Sequence, residues 1–83
     1  MSSTPADRAA GGVPLSRVPQ GARVRLIRVD AGLGLRSRLS AMGLVPGVEM
    51  LVVTNRGAGP AVVEVKGTRL ALGRGMALKI LVE

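Results

Sequence analysis

Catalysis needs a nucleophile and a group to activate it, and this chain carries the first without the second. Its hydroxyls are Ser2, Ser3, Thr4, Ser16, Ser37, Ser40, Thr54 and Thr68, but it contains no His and no Cys. An unassisted hydroxyl is a weak nucleophile at neutral pH. Acid–base work would therefore fall to Asp7, Asp30, Glu49, Glu64 and Glu83, which are scattered singly along the chain. No two are close enough in sequence to divide into one acid and one base. The same absences bear on metals: zinc or iron sites draw on thiolate and imidazole, and hard ions on clustered oxygens. No catalytic residue, cofactor or metal site is expected, and the chain is read as a non-enzyme.

Glycine-rich loops raise the question of phosphate binding. No segment fits GxxxxGKS or GxxxxGKT, and Lys66-Gly67-Thr68 lies between strand-like runs, not ahead of a helix. Gly32-Leu33-Gly34 does precede a helical stretch but lacks the rest of a dinucleotide fingerprint. Turn chemistry accounts for these glycines.

What remains is arginine. Lys plus Arg total 12 against five acids, a net charge of +7, which suits an acidic partner, a nucleic acid or an anionic membrane face. Compositional bias contributes, since ten of the 12 cations are Arg. The charge is also uneven: Arg23, Arg25, Arg28, Arg36 and Arg38 face Asp30 alone, a local net of +4. There is no Phe, Tyr or Trp, so base stacking and a polyproline groove both lack their aromatic platform. The expected use of this segment is protein docking, with Leu33, Arg36, Ser37 and Arg38 as contact residues. The alternative is a basic small barrel that binds nucleic acid or anionic membrane without specificity.

Short, well-punctuated elements must position these groups. Residues 1–12 read as a disordered leader and 13–83 as one domain with an aliphatic core. Strand one is expected over Ala22–Val29, with its phase broken at Ile27-Arg28-Val29 by a bulge or a doubly covered strand end. After the loop Asp30–Gly34, a short helix places Leu35, Leu39 and Met42 on one stripe. Gly43, Leu44 and Pro46 then form a complete stop signal, and Gly47 turns the chain into strand two, Val48–Asn55. Strand three is Ala61–Val65 and strand four Thr68–Leu72, joined by a two-residue Lys66-Gly67 hairpin. Gly73-Arg74-Gly75 is expected to turn again, and Leu78–Glu83 to form the last strand. The order β-α-β-β-β-β defines an all-β class with one short helix: a small SH3-like five-stranded barrel, with an OB-fold as runner-up. No stretch reaches the ~18 apolar residues of a membrane span and no signal peptide is legible, so the expected location is cytoplasmic.

The run Arg38-Leu39-Ser40-Ala41-Met42-Gly43-Leu44-Val45-Pro46-Gly47 resembles the rLxxmGlxpG signature of the FeoA family. Gly59-Pro60, Val63, Val65, Gly67, Leu70–Gly73, Ala77 and Ile80–Val82 are similar to that family's tail. The likeness covers about Leu15 to Glu83; Gly75-Met76 depart from it, standing where relatives often carry charge. The resemblance implies an SH3-like cytosolic accessory protein of bacterial ferrous iron uptake. Its implied partner is the cytosolic region of the FeoB-type transporter, which carries a GTP-binding domain. It implies no specific nucleic acid, and membrane association only through that partner. Related barrels end the iron-dependent repressors of the diphtheria-toxin-repressor type, but this chain has no room for their helix-turn-helix.

Overall fold

Alternating aliphatic residues build an antiparallel sheet in the computed structural model, which describes residues 12–83. The leader expected over 1–12 lies, except for Gly12, outside the described residues. The strands are β1 (Val13–Pro14), β2 (Arg23–Val29), β3 (Glu49–Thr54), β4 (Ala61–Val65), β5 (Thr68–Leu72) and β6 (Ile80–Val82). Helix α1 spans Leu33–Ala41, α2 spans Arg74–Ala77, and a 3-10 turn covers Leu15–Arg17.

The strand order across the sheet is β1-β6-β2-β3-β4-β5. β2 is the strand on which the fold bends. Its first half, Arg23–Arg25, pairs with β3, and Leu26–Val29 pairs with β6, with the register slipping between Leu26 and Arg28. An extra residue in one strand increases its bend and twist, so Ile27 lets the two leaves wrap one core. Leu15, Leu26, Leu39, Leu44, Val52, Val63, Leu72, Ile80 and Val82 fill it, and no polar or charged residue is buried among those described.

The all-β class with its SH3-like curl holds, with three differences in detail. There are six strands and not five, because Val13–Pro14 adds to β6 opposite Val82 and Leu81; two residues carry no alternation that could announce them. The sheet also stays open: no ladder joins β5 to β1 among the described residues. Finally, Gly73-Arg74-Gly75 is not a plain turn but the start of α2, which buries Ala77 completely. The last strand consequently begins only at Ile80, and Leu78, expected within that strand, lies outside it and is 56 % exposed.

The β4–β5 hairpin has the expected register, with Val65 opposite Thr68, Glu64 opposite Arg69 and Val63 opposite Leu70. Lys66 (φ 52°) and Gly67 (φ 82°) both take positive φ, the signature of the type I′ turn that matches strand twist. Glu64 and Arg69 meet at 3.6 Å on the outer face.

Candidate functional site

The nine residues of α1 are held by very few contacts. No side chain caps its N-terminus, where Gly32 is extended, and no acid sits in its first turn. Leu39 is buried and Leu35 packs partly against the core. Tertiary packing stabilises so short a helix, and these two side chains supply it. Met42, expected on the same stripe, is 44 % exposed. It occupies the C-cap, where the chain leaves helical geometry and the 3.6-residue period no longer applies.

The stop itself is a complete Schellman motif. The Gly43 N–H donates to the Ser40 carbonyl at 3.0 Å and the Leu44 N–H to the Leu39 carbonyl at 2.9 Å. Gly43 supports this with φ +95°, a region where a Cβ is disfavoured. Leu44 folds back into the core, 2 % exposed. The next turn closes through the Val48 N–H on the Val45 carbonyl at 3.1 Å, with Pro46 and Gly47 at its centre.

This anchoring fixes what α1 shows to solvent. The helix begins at Leu33, sooner than expected, so Leu33 is a helical residue, and it is 70 % exposed. Residues advance by about 100° along a helix, which puts Arg36 and Arg38 about 200° apart and not side by side. They rim opposite edges of the exposed arc, with Leu33, Gly34, Ser37, Ser40 and Ala41 between them. The four expected contact residues thus share one broad outer surface, with Leu33 and Ser37 near its middle and a cation at either edge.

Arg36 also rims a cleft of about 390 Å³ between α1 and the end of β2. Arg28, Val29, Asp30 and Ala31 form one wall, Arg36 and Ser40 the other, and Leu44, Val45 and Pro46 the floor. Val45 is 38 % exposed there. The Asp30 N–H is tied to the Lys79 carbonyl at 2.7 Å, so this wall is continuous with the sheet. Arg36 and Arg38 make no side-chain ion pair or hydrogen bond among the described residues. Arg25, by contrast, meets Glu49 at 3.2 Å.

A second polar cluster left no trace in the sequence reading. Arg74 donates through Nη1 to Asn55 Oδ1 at 2.6 Å, and through Nη2 to the carbonyls of Gly57 (3.1 Å) and Gly59 (2.8 Å). Asn55 Nδ2 in turn reaches the carbonyls of Leu15, Ser16 and Val18, the last at 2.6 Å. One arginine and one asparagine thereby staple α2, the 56–60 loop and the 3-10 turn together. The role is structural, since every contact is internal.

No group of three or more His, Cys, Asp or Glu residues lies together among the described residues. No helix there is long and apolar enough to cross a membrane.

The architecture is an open SH3-like sheet that carries one short, basic-rimmed helix. The FeoA domain family matches residues 13–83, and the chain belongs to that family of ferrous iron transport accessory proteins. A Methanocaldococcus jannaschii protein provisionally named Fe(2+) transport protein A is 40 % identical over 70 residues, 84 % of each chain. The crystal structure of an iron uptake regulatory protein, FeoA, superposes with a TM-score of 0.80 at 34 % identity, covering 86 % of this chain and 95 % of that one. Stenotrophomonas maltophilia FeoA, solved with zinc, gives 0.75 at 28 % identity over 87 % of this chain and 91 % of its own. That protein is described as a prokaryotic SH3-domain protein, and its describers suggest a role as a ferrous iron transport activating factor.

Proposed function

We infer that this chain acts in the cytoplasm as an accessory protein of ferrous iron uptake, by binding the cytosolic region of a FeoB-type transporter. Family membership supplies the iron context. The observation that carries the docking is on α1, where Leu33 stands 70 % exposed between two arginines that pair with nothing else among the described residues. Apolar centres resist dissociation, and charged rims speed and orient encounter. Leu33, Arg36, Ser37 and Arg38 form such a patch on an element that contributes only Leu35 and Leu39 to the core. The work is contact and not catalysis.

The test is direct binding of the full chain to the purified cytosolic region of the transporter, with duplex DNA and anionic vesicles as comparators. Saturable binding to the transporter region at physiological salt, well above either comparator, is the expected result. The net charge of +7 favours a second reading, non-specific polyanion binding. It predicts equal capture of all three and steep loss with salt.

A further inference from the structure

We propose that the cleft between α1 and the end of β2 receives a short acidic peptide segment of the partner, one carboxylate against Arg36 and one aliphatic side chain on Val45. The inference rests on the docking role proposed above and gives that surface its ligand chemistry. At about 390 Å³ the cleft lies within the ~300–1,000 Å³ of ligand-sized clefts. It suits one anchored side chain with adjoining backbone. Its floor is aliphatic and accessible: Val45 is 38 % exposed, while Leu44 beneath is buried and braced by the helix stop.

Charge selects the occupant. The lining carries Arg28, Asp30 and Arg36; Arg28 is already engaged, so the selecting charge is that of Arg36. Arg25 and Arg69 are already answered by Glu49 and Glu64, whereas Arg36 has no such partner among the described residues. A carboxylate is the complement that a guanidinium grips best. Two arginines fall short of the basic cluster, roughly four to eight residues, that recognises an anionic membrane. With no aromatic residue in the chain, the cleft offers a base no aromatic platform. A peptide that offers both carboxylate and methyl groups fits both halves of the lining.

The test is an amide-resonance titration of the full chain at physiological salt. The probes are two acetylated, amidated pentapeptides, Asp-Leu-Glu-Leu-Asp and Lys-Leu-Lys-Leu-Lys, and phosphatidylglycerol vesicles. The acidic peptide should shift the amides of Val29–Ala31, Ser40 and Val45 saturably, and the basic peptide should not. Arg36→Glu and, separately, Val45→Glu should each weaken the acidic peptide at least about fivefold. Arg69→Glu, on the hairpin, should leave it within about twofold. Absence of saturable shifts at the cleft, equal weakening by Arg69→Glu, or the same shifts from vesicles would overturn the proposal. If the peptide fails while Arg36→Glu/Arg38→Glu still abolishes transporter binding, the cleft inference falls and docking stands. If the transporter region does not bind at all, docking falls, and the peptide titration still decides the cleft.

Discussion

Two glycines in and beside α1 should respond to the same added methyl group with opposite signs. At Gly43 an added Cβ would meet nothing within 4 Å, so no clash contributes to the cost. What remains is the backbone, held at φ +95° by the two hydrogen bonds of the helix stop. Left-handed geometry costs an L-residue about 1–2 kcal/mol. Gly43→Ala should therefore destabilise by about that amount and lower the melting temperature by roughly 5–15 °C for a domain of this size. At Gly34, inside the helix, a Cβ again meets nothing within 4 Å, and φ is not in the positive region. There the methyl group restricts the unfolded chain and favours helix, so Gly34→Ala should stabilise by about 0.5–1 kcal/mol. With no Trp or Tyr intrinsic fluorescence is silent, so the assay is urea and thermal unfolding followed by far-UV circular dichroism. A neutral or stabilising Gly43→Ala, or shifts of the same sign at both positions, would refute the reasoning.

Arg74→Met keeps much of the stem but removes the three bonds that Arg74 makes to Asn55, Gly57 and Gly59; it should cost about 2 kcal/mol and open the 56–60 loop to limited proteolysis, both read on the purified chain. Glu64→Gln removes an ion pair whose arginine side chain is 67 % exposed, so denaturant melts should move by less than about 0.5 kcal/mol. Calorimetry with ferrous iron or zinc should detect no stoichiometric site of micromolar affinity in the monomer, since no three His, Cys, Asp or Glu residues gather among those described.

Local chemistry was legible in the sequence, and long-range chemistry was not. The Leu39–Gly43–Leu44–Pro46 stop and the Lys66-Gly67 hairpin are written within a few residues, and both appear with the expected hydrogen bonds and register. The irregularity at Ile27 was visible as a break in alternation, but only the strand pairing decides for a bulge over a doubly covered strand end. β1 was invisible because its two residues gain strand geometry only from β6, far along the chain. The Arg74–Asn55 staple bridges 19 residues and ends largely on backbone carbonyls, which have no sequence signature. On the proposed docking surface, the types of Leu33, Arg36, Ser37 and Arg38 were readable. The divergence of Arg36 from Arg38 follows from helical geometry alone, whereas the cleft beside Arg36 needed the fold, because its walls come from β2, α1 and the turn after it.

The most direct measurement is the affinity of the full chain for the transporter's cytosolic region, before and after Arg36→Glu and Arg38→Glu are introduced together. Both side chains are exposed and lie off the Leu35–Leu39 contact with the core, so the melting temperature should stay within a few degrees. Reversing the charge at both rims should weaken binding by about tenfold or more, largely through slower association. A folded double variant that binds the transporter region as tightly as the unaltered chain would contradict docking through α1.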